Sequence, residues 1–193
     1  MQGEEYKVPD NRRDKEAGET ALGSVGRLKR EEIEAGLNGG ETLVLESWSA
    51  GETAALGRVL GEMCRPGQVY TLTGDLGTGK TVFTQGFARG LGITEPVSSP
   101  TFTILQVYDE GRLPFYHFDV YRIGDVEEME EVGCEDCFYG KGVCMVEWAE
   151  LIAEILPENS VQVTIEKVPE RGFDYRRLTL KRREIKEEKT KYR

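Results

Sequence analysis

The chain has 193 residues, 38% hydrophobic and 31% charged, enough for one domain with a real core and too few for two comfortable ones. Its net charge of −10 is uneven: residues 170–193 carry ten Lys or Arg against five Asp or Glu, so the remaining body is strongly acidic, which argues against phosphate-driven binding of nucleic acid. No stretch approaches the roughly 18 apolar residues of a membrane helix, the N-terminus lacks the apolar core of a signal peptide, and the four cysteines read as reduced thiols, so a cytoplasmic protein without membrane contact is expected.

Residues 1–40 are rich in Gly, Glu, Arg and Lys without sustained apolar periodicity and read as a mobile N-terminal extension. A domain is expected over 41–181, followed by a charged C-terminal tail at 182–193. ETLVLES predicts a first strand, and Ser49 with Glu52 forms a capping-box pattern that opens a helix carrying Leu56, Val59, Leu60 and Met63 up to Pro66-Gly67. A strand over 68–73 leads into a glycine-rich loop, and a helix from about Lys80 buries Val82, Phe83 and Phe87 before Gly90 and Gly92.

The segment 93–102 reads as a long loop. Strands over 103–108 and 113–119 then form a hairpin across Asp109-Glu110-Gly111. Seven acids in 125–136 mark a short helix with a solvated face. Val143 to Glu147 reads as a buried parallel strand, 148–156 as a helix stopped by Pro157, and 161–168 with 175–180 as a final strand pair. The fold class is α/β, with antiparallel additions to a parallel sheet.

Gly74-Asp75-Leu76-Gly77-Thr78-Gly79-Lys80-Thr81 satisfies G-x-x-x-x-G-K-[ST] after a strand and at the start of a helix. The glycines let successive N–H groups turn toward a phosphate, the helix N-terminus adds partial positive charge, Lys80 neutralises phosphate oxygens, and Thr81 offers a hydroxyl to Mg²⁺. A nucleoside triphosphate site is expected. Such a loop needs an acid at the end of a neighbouring strand, and two stand ready: Asp119 after PFYHF and Glu147 after VCMV, one to order the metal and the other to position attacking water. Ser99-Pro100-Thr101 occupies the loop where P-loop hydrolases sense the γ-phosphate.

His117, the single histidine, reads as a ring on a half-buried strand satisfied by a hydrogen bond rather than as a general base. Cys134, Cys137 and Cys144 read as buried thiols, with a zinc site including His117 as the rarer alternative. Trp148 either stacks on a base or partner or fills the core.

GDLGTGKT, SPTFT, HFDVYR and VEW, in this order and at these separations, resemble the TsaE (YjeE) family of bacterial P-loop ATPases, with the likeness running over about 41–181. The resemblance implies a P-loop NTPase-like three-layer αβα domain with a mainly parallel sheet. It implies ATP and Mg²⁺ as cofactors and a role in threonylcarbamoyladenosine modification of tRNA, beside the anticodon of tRNAs that read codons beginning with A. The family works with a TsaD-like threonylcarbamoyl transferase and a TsaB-like companion, which the ATP cycle resets, so contact with tRNA is indirect. By the same likeness Lys80 and the amides of 74–80 hold phosphates, Thr81 and Glu147 serve Mg²⁺, and Asp119 assists in metal or water positioning. Thr53 is expected near the base, Thr101 in a switch-like loop and Trp148 in the surroundings of the site.

The chain departs from the family pattern in its first 40 residues, in Ala149 where proline is frequent, and in its cysteine pair. The rival reading is a small-molecule P-loop kinase, but no Arg-rich lid segment stands out. A GTPase switch lacks its N-K-x-D motif.

Overall fold

The computed structural model describes residues 30–183. Helix α1 (Arg30–Asn38) packs Ile33 and Leu37, four residues apart on one face, into the core. Its first turn carries Glu31 and Glu32, which complement the helix dipole, and Gly40 at φ +75° lets the chain turn away. The extension expected over 1–40 is therefore corrected: its last nine helical residues belong to the folded body, and the part over 1–29 lies outside the described residues. The nine residues are too short and too charged for the periodicity of their few apolar side chains to stand out.

Strand β1 (Leu43–Ser47) leads to α2 (Ala50–Met63), whose Ser49 cap accepts from Glu52 N–H at 3.2 Å while Glu52 Oε2 accepts from Trp48 N–H at 2.7 Å. The expected capping box forms, with the return bond made one residue earlier. Strand β2 (Val69–Thr73), the glycine loop and α3 (Lys80–Gly90) follow, then β3 (Leu105–Tyr108) and β4 (Phe115–Asp119). The acidic segment folds as two short helices, α4 (Glu128–Glu131) and α5 (Cys134–Phe138), before β5 (Val143–Glu147). The helix expected over 148–156 is a 3₁₀ helix, Ala149–Ile155, kinked at Ile152. It is entered through Trp148 in the left-handed conformation, and Arg183 caps its far end by donating to Ala153 O and Leu156 O, each at 2.7 Å. Strands β6 (Val161–Lys167) and β7 (Arg176–Arg182) complete the described chain. Arg182 and Arg183, expected in the tail, are thus part of the domain, and 184–193 lie outside the described residues.

The seven strands form one sheet in the order β1-β7-β6-β2-β5-β4-β3. The run β6-β2-β5-β4 is parallel, β7 runs against both β6 and β1, and β3 runs against β4, so five of the seven strands point the same way. Side chains alternate between the two faces. Tyr70, Leu72, Phe115, Val143 and Met145 point to the face covered by α1, α2 and α3, whereas Val69, Phe118, Cys144 and Val146 point to the face covered by α4, α5 and the 3₁₀ helix. The three-layer arrangement is thereby explained by strands that are apolar on both sides.

Helices α2 and α3 approach more closely than side chains allow. A β-carbon at Gly57 would lie 2.2 Å from Phe83 O, at Gly61 2.1 Å from Phe87 O, at Gly86 2.0 Å from Ala54 O, and at Gly90 2.2 Å from Arg58 O. Each helix thus presents two glycines, four residues apart, to the backbone of the other. This contact fixes α3, and with it the loop at its N-terminus, against the body of the protein.

Candidate active site

The glycine loop leaves β2 at the carboxyl end of the parallel strands, where open α/β sheets place their ligands. Gly74, Gly77 and Gly79 adopt φ of +149°, +73° and +106°, conformations that side chains rarely take. Gly74 also abuts β6 so closely that a β-carbon would meet Ile165 O at 2.4 Å. Gly79 is the N-cap of α3 and supplies no side-chain bond, so the first N–H groups of the helix are left for an anion. Lys80 is buried; its Nζ donates to Gly74 O at 2.6 Å and Asp75 O at 3.1 Å and lies 4.4 Å from the centre of the Trp148 ring.

The register of the sheet sets both acids opposite this loop. Asp119 pairs with Glu147 across β4 and β5, and Glu147 pairs with Leu72 across β5 and β2. Both carboxylates end strands on the α3 face and both are buried. Asp119 Oδ2 accepts from Ser99 Oγ and from Thr101 Oγ1, each at 2.6 Å, and Oδ1 accepts from Tyr121 N–H at 3.1 Å. The Ser99 and Thr101 hydroxyl oxygens lie 2.9 Å apart. Glu147 Oε1 shares a 3.0 Å hydrogen bond with His117 Nε2, and the imidazole stacks on Phe115. His117 is fully buried rather than half-buried, and it serves Glu147 instead of facing the cleft.

Between these walls lies a cleft of about 630 Å³, lined by Gly77, Gly79, Lys80, Thr81, Thr101, Asp119, Glu147 and Trp148 among others. Leu76 also lines it and is largely exposed, whereas Gly74, Asp75 and Thr78 form the loop behind. Thr53 is not at the cleft. Its hydroxyl is bonded to Ser47 Oγ at 2.7 Å and to Ser49 O at 3.3 Å, and its methyl lies under Gly79, where it supports the loop from below. Tyr121, packed on Trp148 at 4.9 Å between ring centres, lines the cleft unanticipated by the sequence reading. Ser99 of the expected γ-phosphate-sensing loop also lines the cleft, as a second donor to Asp119, a contact that the motif SPTFT does not assign.

The available donors suit Mg²⁺: a threonine hydroxyl and two carboxylates are hard oxygen ligands. Among the described residues no group of three His, Cys, Asp or Glu side chains clusters tightly enough to hold a metal alone. The zinc alternative does not fit. Cys134, Cys137 and Cys144 are buried on the opposite face of the sheet from His117, and the Cys144 thiol donates to Cys137 O at 3.2 Å.

The profile of the family described as "Threonylcarbamoyl adenosine biosynthesis protein TsaE" matches residues 47–177, which take in the loop, both acids and β6. The chain belongs to the TsaE family. It is 52% identical over 128 residues to the tRNA threonylcarbamoyladenosine biosynthesis protein TsaE of Bacillus subtilis, covering 66% of this chain and 78% of that one. It is 48% identical over 119 residues to the protein of the same name from Treponema pallidum, covering 62% and 87%. The crystal structure of Bacillus subtilis YdiB superposes with a TM-score of 0.64 at 43% identity, over 74% of this chain and 86% of that one. The P-loop NTPase-like α/β fold expected from the motifs is the fold of this TsaE chain, and none of its described helices is long and apolar enough to cross a membrane.

Proposed function

We propose that this chain is an ATP-hydrolysing component of the machinery that forms the threonylcarbamoyl group on adenosine beside the anticodon, in tRNAs reading codons that begin with A. The observation that supports it is the register pairing of Asp119 with Glu147 directly across the cleft from Lys80 and Thr81. The names carried by its relatives supply the setting.

In this reading the loop amides and the N-terminus of α3 bind the β- and γ-phosphates, and Lys80 leaves its loop carbonyls to neutralise the oxygens between them. Mg²⁺ bound by Thr81 and the acids would neutralise charge that develops on the phosphates. Glu147, held by His117 through one oxygen, would serve that ion with the other; Asp119, fixed by Ser99, Thr101 and Tyr121, would orient the attacking water or assist in holding the metal. Trp148 forms the wall against which the Lys80 ammonium rests.

The partners in this reading are a TsaD-like threonylcarbamoyl transferase and a TsaB-like companion, reset by the ATP cycle in the cytoplasm. The acidic body leaves contact with tRNA to them. The test is reconstitution with both partners, comparing wild type with Lys80→Ala and Glu147→Ala for repeated rounds of tRNA modification. Both variants are expected to stall after the first rounds, and full activity of both overturns the mechanism.

A further inference from the structure

We propose that Lys167 and Arg176 are positioning residues that aim two phosphate-binding amides of the glycine loop, an inference that rests on the reading of that loop as a nucleotide site. The two residues are register partners at the end of the β6–β7 hairpin. Both reach the outer side of the loop: Arg176 Nε donates to Thr78 O at 2.7 Å, and Lys167 Nζ donates to Leu76 O at 3.1 Å.

The peptide unit makes these bonds consequential. In a trans peptide the C=O of one residue and the N–H of the next lie in one plane and point in opposite directions. The chain has no cis peptide among its described residues. Tying Thr78 O to Arg176 therefore turns Gly79 N–H away from the hairpin, and tying Leu76 O to Lys167 does the same for Gly77 N–H. Gly77 and Gly79 are residues that line the cleft. At these positions glycine leaves the backbone free to rotate, so an outside constraint has to select the productive orientation.

Arg176 carries most of the effect. It is half-buried, its guanidinium also donates to Phe173 O and Tyr175 O at 2.8 Å each, and a planar fork held at three carbonyls loses little further freedom. Lys167 is exposed, its single bond is longer, and water competes for it.

Calorimetric titration of the full chain with MgADP tests the assignment. Arg176→Ala is expected to weaken MgADP about tenfold and Lys167→Ala about threefold, as a charge-assisted bond and an exposed one predict. Arg176→Lys is expected to recover part of the loss. The amide resonances of Gly77 and Gly79 should shift in Arg176→Ala before any ligand is added.

Arg182→Ala, at the other end of the same strand, is the control. Arg182 bonds Leu37 O at 2.9 Å and Asn38 Oδ1 at 3.0 Å, far from the loop, so this variant should lower Tm and leave MgADP affinity unchanged. Wild-type affinity in a folded Arg176→Ala, or an equal loss in Arg182→Ala, overturns the assignment. Absence of MgADP binding by the wild type overturns instead the nucleotide reading beneath it.

Discussion

On the loop side of the cleft, α2 and α3 meet backbone to backbone through Gly57, Gly61, Gly86 and Gly90, and the loop is a series of main-chain donors. On the acid side, each carboxylate is held by side-chain hydrogen bonds: Asp119 by Ser99 and Thr101, Glu147 by His117. The first wall derives its shape from the absence of side chains and the second from their polarity. It follows that the loop wall is sensitive to volume and the acid wall to chemistry.

The largest effect separating the two is steric. Gly86→Ala adds a carbon 2.0 Å from Ala54 O, which cannot yield without moving α2. A cost of about 3 kcal/mol is expected, lowering Tm by roughly 6–12 °C for a chain of this size. A thermal melt unchanged within a degree would contradict the backbone contact. Lys80→Ala comes next and acts on binding rather than folding. Removing a charged donor to phosphate is expected to weaken ATP by about 1.5–3 kcal/mol, roughly 10- to 150-fold, in titration calorimetry, with Tm retained.

The acid wall is probed by Thr101→Val, which conserves shape and deletes one of the 2.6 Å donors to Asp119. Turnover with partners is expected to fall about tenfold while ATP affinity changes less than twofold, since one charge-assisted bond of roughly 1.5 kcal/mol is lost away from the phosphate loop. An equal loss of affinity and turnover would erase the distinction between the walls. The smallest effect concerns pH and belongs to neither wall. Burial pushes the Cys64 thiol from its ordinary 9.0 up to about 11, with Arg112 opposing that shift. The folded state therefore keeps the proton that the unfolded chain releases, so this contribution is full below pH 9 and is lost as pH rises from 9 toward 11. A Cys64→Ala variant should show a shallower fall of stability over that window in urea titrations.

The contrast also marks what was legible in the sequence. The loop wall could be read residue by residue because its glycines and Lys80 fall within one short stretch and follow the G-x-x-x-x-G-K-[ST] spacing. Asp119 and Glu147 were visible as acids closing apolar strands. Their pairing depends on β4 and β5 being neighbours, which only the sheet order discloses. His117 looked like a satisfied ring, and its partner is Glu147, an acid 30 positions away. The attachment of Lys167 and Arg176 to the loop spans 91 and 98 positions and leaves no local pattern. Helix α1 carried one usable signal, Ile33 and Leu37 at helical spacing, outweighed by its charged surroundings.

Two residues other than glycine hold positive φ among those described: Ile104 at +64° and Trp148 at +61°. Ile104 O accepts the N–H of Asp119 at 2.9 Å, and Trp148 directly follows Glu147. Each conformation costs about 1–2 kcal/mol for an L-residue, most for a β-branched one. Both springs are thus wound at the acids, and no residue other than glycine is so strained in the loop. A partner that rotated either backbone would release that tension as motion of a carboxylate, and the Ile104 methyl, observed by relaxation dispersion, is where the recoil would be seen.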